Sequence, residues 1–337
     1  MWGVGAMLTP HIYLHLGDVV MKNNAVDPEL DVARQEMLAA VPGGFNAPER
    51  IEDRRALIDS FLALIPINEN VSREDHFVPG IPGAPDIRIR IYRPLHGFTS
   101  SGALMVIHGG GMVMGGIESD DGSASFLCEM LGVLTVALEY RLAPENPYPS
   151  GLDDCLAVAR WLFSESDKFH IDPEKIVLYG GSAGGGLAIA LTLLLRDKGL
   201  RNFAFVMAPY PMIDDRNETP SSHEILDLGV WDKKANVDSW RWYLGAISED
   251  ADVPIYAAPS RARDLSKLPP LFIDVGSCDL FRDENREFVW RLLDQGNHCE
   301  FHLYQGAYHA AELFAPEARI SQRIWARRIA ALRRVLS

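Results

Sequence analysis

Ile176-Val177-Leu178-Tyr179-Gly180-Gly181-Ser182-Ala183-Gly184-Gly185-Gly186 decides how this chain is read. Four apolar or aromatic residues predict a buried strand, and Leu187-Ala188-Ile189-Ala190-Leu191 begins an apolar helix. Between them stands a serine flanked by glycines. Strand, sharp turn and helix form the setting in which G-x-S-x-G places a serine as a nucleophile. The hydroxyl is a weak nucleophile, so it must project from a tight turn to meet both substrate and base. Gly180 and Gly184 remove side chains that would clash where strand and helix approach. The N–H of Ala183 falls at a helix N-terminus, where a developing oxyanion is stabilised.

Apolar runs predict further strands outward from this turn. They lie after Val71 and at 87–92, 103–107, 135–138, 203–207, 271–275 and 300–304. Ile87-Arg88-Ile89-Arg90-Ile91-Tyr92 alternates as a half-exposed strand does, whereas Ala103 to Ile107 is continuously apolar, as a central strand is. Helices are expected near 123–131 and 152–163. The alternation gives an α/β fold with a mostly parallel eight-stranded sheet flanked by helices. Two regions fall outside it. In residues 1–66, Asp27-Pro28-Glu29 opens one helix. A second starts near Pro48, with Ile51, Leu57, Ile58, Phe61 and Leu62 on one side and Glu52, Asp53, Arg54 and Arg55 on the other. In residues 214–259 the chain is polar, then rich in tryptophan. These two segments are expected to form a helical cap over a core made of 67–213 and 260–337.

The chain has 337 residues and a formal net charge of −14. An acidic surface disfavours nucleic acid and anionic membrane as partners. The four cysteines are widely spaced, and no histidine pair has metal-ligand spacing, so no metal and no cofactor are expected. The first residues lack a basic region and an uninterrupted apolar run, and no stretch is long enough to span a bilayer. The reading is a cytoplasmic protein.

His108-Gly109-Gly110-Gly111 follows the strand at 103–107. Consecutive glycines let backbone N–H groups approach a ligand, so Gly110, Gly111 and Ala183 are candidate oxyanion donors. His108 is read as holding this loop, not as a base. A serine nucleophile needs a base and an orienting carboxylate, in the chain order Ser, acid, His. Asp274 lies within a strand and Asp283 starts a charged helix. Asp279 lies on the loop between them and is favoured. His298 precedes the last strand and His302 lies inside it. His309 follows that strand, at the sheet end that carries Ser182, and is the favoured base.

With those pieces in place the sequence resembles the hormone-sensitive lipase family of α/β-hydrolases over residues 72–312. The resemblance rests on His108-Gly109-Gly110-Gly111, Tyr140-Arg141-Leu142-Ala143-Pro144-Glu145, Ser182-Ala183-Gly184-Gly185, Leu268-Pro269-Pro270, Asp279-Leu280-Phe281-Arg282-Asp283-Glu284 and His309. It implies that Asp279, the first acid of its motif, is catalytic. It also implies a serine carboxylesterase that takes a small ester, and a homodimer through the last edge strand. Three positions depart from the family pattern: Gly181 before the serine, Met112 after the glycines, and Ala310-Ala311 after His309. Met112, Met114, Gly181, Tyr210 and Trp231 are expected to border the substrate pocket. Arg141 and Glu145 are read as a structural pair, and Asp153 and Asp154 as bracing acids. Lactone, amide or carbamate hydrolysis would use the same machinery. A ligand-binding receptor of the same fold is the rival from another class, and the presence of all three triad residues argues against it.

Overall fold

The computed structural model describes residues 25–46, 48–62, 64–247 and 252–337. The expected cap segments are therefore seen only in part, because residues 1–24, 47, 63 and 248–251 lie outside the described residues.

Eight strands form one sheet: β1 (Val71–Val78), β2 (Ile87–Pro94), β3 (Ala103–Ile107), β4 (Leu134–Leu138), β5 (Ile176–Gly180), β6 (Phe205–Pro209), β7 (Leu271–Gly276) and β8 (Cys299–Tyr304). Their order is β1-β2-β4-β3-β5-β6-β7-β8. β2 runs antiparallel to β1 and β4, and every other pairing is parallel. The burial pattern follows the sequence. β3, β4, β5 and β6 are buried at every position, as strands covered on both faces must be. The outermost strand β1 is buried only at its two ends.

Among the described residues ten helices accompany the sheet: α1 (Pro28–Ala40), α2 (Ile51–Leu62), α3 (Ile117–Leu131), α4 (Ser150–Ser164), α5 (Ala183–Asp197), α6 (Pro220–Glu224), α7 (Lys233–Leu244), α8 (Arg282–Asp294), α9 (Ala311–Phe314) and α10 (Arg319–Leu336). α1 begins as its sequence requires: Asp27 accepts a hydrogen bond from the Glu29 N–H at 2.9 Å, with Pro28 in the first turn. α3 starts six residues earlier than the expected Ser123, because the Ser119 hydroxyl bonds the Gly116 N–H at 2.8 Å and holds the first turn. β6 starts two residues later than expected, since Phe203 and Ala204 lead into the ladder and are not part of it.

Two ion-pair expectations change. Arg54 does not lie on a solvated face of α2. It is 1% exposed, donates to Asp238 of α7 at 2.9 Å and to the Pro48 carbonyl, and stacks over Trp242. The pairing of Arg141 with Glu145 is replaced by two others. Arg141 binds Asp154 at 2.7 Å, while Glu145 binds Arg55 of α2 at 2.8 Å. Helix periodicity identifies a face but does not reveal a second element that will cover it.

Candidate active site

The turn between β5 and α5 holds Ser182 at φ 57 and ψ −121. This is a strained conformation for a residue with a side chain, costing on the order of 1–3 kcal/mol. Three backbone bonds impose it. The Ser182 N–H donates to the Pro209 carbonyl at 3.0 Å, and the Ser182 carbonyl accepts from Gly186 and Met212, each at 3.0 Å. Glycine is obligatory at 184, where an added Cβ would stand 2.1 Å from the Ile107 carbonyl oxygen.

His309 lies on the loop after β8, with its Nε2 3.0 Å from Ser182 Oγ and its Nδ1 2.9 Å from Asp279 Oδ2. Asp279 is fully buried on the loop after β7, and its other oxygen accepts the Phe281 N–H at 2.9 Å. The imidazole is held by rings on several sides: Tyr210 at 4.8 Å, Phe281 at 5.2 Å and Trp231 at 6.2 Å between centroids. Three loops at one end of the sheet thus bring together Ser182, Asp279 and His309.

The rival acids have other partners. Asp274 receives two hydrogen bonds from Arg328 of α10, at 2.8 Å each, and Arg328 also donates to Glu312 at 2.6 Å. Glu312 in turn accepts the Tyr210 hydroxyl at 2.6 Å. Asp283 accepts the Ser221 N–H at 2.8 Å, and Glu284 accepts the Ile213 N–H at 2.9 Å. The run after Asp279 therefore anchors the chain that leaves β6. Of the rival histidines, His302 pairs with Glu300 at 2.8 Å.

The glycine loop passes close to the serine: a Cβ on Gly109 would lie 3.5 Å from Ser182 Cβ. The N–H groups of Gly110, Gly111 and Ala183 have no acceptor among the described residues. Gly111 adopts φ 65, and a Cβ there would be 2.4 Å from the Trp231 ring. His108 stacks on Tyr140 at 4.1 Å and donates from Nδ1 to the Gly109 carbonyl at 2.8 Å. Burial drives its pKa down to about 4, so it is a neutral loop brace at physiological pH.

A cavity of about 140 Å³ opens onto Ser182 and His309. Met114, Gly181, Tyr210 and Trp231 line it, as expected. Met112 does not. Its backbone turns through φ 62, and its methyl lies 3.4 Å from where a Cβ of Gly186 would stand, so it packs against α5. The absent side chain at Gly186 makes the room that draws it inward.

The α/β-hydrolase-fold family matches residues 104–313. The carboxylesterase NlhH of Mycobacterium tuberculosis is 30% identical over 311 residues, 92% of this chain and 97% of its own length. Esterase LipI of the same organism is 32% identical over 311 residues, 92% of this chain and 96% of its own. Among solved structures, a bacterial heroin esterase superposes with a TM-score of 0.85 at 36% identity, covering 93% of this chain and 98% of its own. The chain belongs to the hormone-sensitive lipase type of α/β-hydrolase carboxylesterases.

Several lining residues of this carboxylesterase had no signal in the sequence reading. Phe45, Ile58, Leu62, Val230, Leu313 and Phe314 supply an apolar wall. Phe61 supports that wall from behind, stacked on Phe314 at 4.9 Å. Asp120, Ser119 and Ser123 add a polar patch from the first turns of α3. Asp120 is half-buried, and desolvation raises its carboxyl to about 7. The signal that could have found it is the spacing of Ser119, Asp120 and Ser123 on a helix that starts just after the glycine loop.

Proposed function

We propose that this carboxylesterase uses Ser182 as nucleophile, His309 as general base and Asp279 as the carboxylate that orients and stabilises the imidazolium. Gly110, Gly111 and Ala183 hold the oxyanion. The observation that supports this reading is the continuous chain of two hydrogen bonds, 2.9 and 3.0 Å long, from Asp279 through His309 to Ser182. His309 takes the Ser182 proton as Oγ attacks the ester carbonyl. It then gives that proton to the departing alkoxide, leaving an acyl-enzyme. Water enters, His309 takes its proton, and the tetrahedral intermediate collapses to acid and free Ser182.

The same reading assigns a cap role to residues 1–66 and 214–259 over a core of 67–213 and 260–337. The Phe45 N–H bond to the Gly229 carbonyl at 2.9 Å and the Arg54–Asp238 pair support it, since both join the two segments beside the cavity. A closed apolar pocket favours short to medium acyl chains, each buried methylene adding about 0.8 kcal/mol until the end wall is reached. The outer edge of β8, the last strand of the sheet, supports a homodimer. The location proposed is cytoplasmic, a reading that the free thiols of Cys128, Cys155, Cys278 and Cys299 support. Among the described residues, no helix is long and apolar enough to cross a membrane.

A p-nitrophenyl ester series and an organophosphonate test the reading. The phosphonate is expected on Ser182 by mass spectrometry, and Ser182→Ala is expected to lower kcat by on the order of a millionfold, as in another serine hydrolase. An adduct on a different serine, with activity surviving in Ser182→Ala, would overturn it.

A further inference from the structure

Asp120 is the one acidic side chain that lines the cavity shared by Ser182 and His309 among the described residues. An acid facing an otherwise apolar wall is costly unless something compensates it. Its neighbour Asp121 has compensation: Arg73 at 2.8 Å and Arg90 at 3.2 Å both bind it. Glu118, one turn away, is bound by Arg88 and Arg90. Those pairs use the arginines that β1 and β2 present to α3. Among the described residues Asp120 has no arginine or lysine paired with it: the Ser123 hydroxyl eases its ionisation, and the charge of Asp121 opposes it. Of the titratable groups in its surroundings, Tyr179 from β5, Tyr140 after β4 and Tyr92 from β2 are each raised in pKa by burial and so neutral, His108 is neutral, and His309, the base of the proposed mechanism, lines the same cavity.

We propose that Asp120 is a specificity-determining residue that selects esters carrying a quaternary or protonated nitrogen, whose charge it pairs inside the pocket. This rests on the esterase reading of the same cavity and names its substrate class. The lining suits it: the Asp120 carboxylate shares the cavity with the aromatic residues Tyr179, Tyr210 and Trp231. Aromatic faces favour an alkylated cation over a hydrated one, and the carboxylate supplies the opposite charge. Because Asp120 gains its proton near pH 7, the preference for a fixed cation strengthens as pH rises through that value and fades below it.

The test compares choline acetate with its uncharged carbon isostere, 3,3-dimethylbutyl acetate, from pH 5.5 to 8.5. The readout is the ratio of kcat/KM for the two, in the wild type and in folded Asp120→Asn and Asp120→Glu variants. The wild-type ratio is expected to climb with pH. Asp120→Asn is expected to lower it about tenfold at pH 8 and to abolish its pH dependence, and Asp120→Glu to restore most of it. A ratio that is flat with pH and unchanged in Asp120→Asn, while p-nitrophenyl acetate is still hydrolysed, overturns the inference and leaves the esterase reading standing. If no ester is hydrolysed, the esterase reading falls and calorimetric titration of choline decides the inference. About tenfold weaker binding to Asp120→Asn than to wild type at pH 8 supports it, and equal or undetectable binding to both overturns it.

Discussion

The floor and the roof of the cavity are built by different means. The floor is backbone: the Ser182 turn and the loops after β7 and β8 are pinned by main-chain hydrogen bonds, and Ser182, Asp279 and His309 stand on those turns. The roof is side chain. Phe45, Ile58, Leu62, Val230 and Trp231 cover the site, and one buried guanidinium, Arg54, joins α2 to α7. A floor of this kind tolerates almost no substitution, because a strained turn and a hydrogen-bonded triad each demand particular residue types. The roof needs only apolar volume of about the right shape.

Perturbing the floor is therefore expected to give the larger effects. Asp279→Asn should lose roughly four orders of magnitude in kcat/KM, if the cost known from another serine hydrolase transfers. Asp283→Asn should lose far less activity and should lower thermal stability instead, because that carboxylate holds the Ser221 N–H and Arg282. Steady-state kinetics beside thermal melts of the two variants separate the roles. The reverse ranking would mean that the loop after β7 presents a different acid to His309.

Perturbing the roof should change selectivity more than rate. Arg54→Ala removes the bond to Asp238 and the stack on Trp242, but Asp238 keeps Lys234 at 3.1 Å and Arg241 at 3.4 Å. The surviving partners hold the loss near 2 kcal/mol, below the 3–5 kcal/mol typical when a buried charge is orphaned. A loosened roof should flatten chain-length discrimination across p-nitrophenyl acetate to octanoate by several-fold. Unchanged discrimination in a folded variant would show that α2 and α7 do not set the end wall.

The same division explains what the sequence could reveal. That Ser182, Asp279 and His309 come together was legible because Ser182 and Asp279 sit in motifs, His309 follows the last strand, and the three occur in the order the fold requires. The central strands β3 to β6 were legible because a sheet covered on both faces needs unbroken apolar runs, and β2 because it alternates. Arg54 was not, since its burial depends on α7, whose Asp238 is 184 residues away in the chain and adjacent in space. Phe314 was not, because any apolar side chain in its place would read alike, and Leu62 was legible as part of an apolar helix side but not as cavity lining. Met112 was misplaced: its neighbour in sequence, Gly111, faces the roof, but the positive φ at 112 turns the side chain into the core. Asp120 drew no reading from the sequence, and only the cavity gives it meaning.

Asp120 is where floor and roof meet, and it allows the mildest test of the comparison. An ordinary aspartate releases its proton near 3.8, whereas Asp120 holds its proton to about 7 because the folded chain desolvates it. Between those values the native state binds more protons than the unfolded chain, so this residue lowers stability as pH rises through the window, with no further loss above it. Asn cannot ionise, so Asp120→Asn removes the penalty. The variant and the wild type should melt close together near pH 4, and the variant should melt increasingly higher up to about pH 8, by about 1.5 °C for each kcal/mol of penalty removed in a chain of this length. Adding choline should narrow the gap from the wild-type side, since a ligand that binds only the folded state raises its melting temperature. Melts at pH 4, 6 and 8 that show a constant difference would place the Asp120 carboxyl in open solvent. That result would return the polar patch of α3 to the ordinary protein surface, leaving the apolar roof and the backbone-built floor as the whole of the pocket.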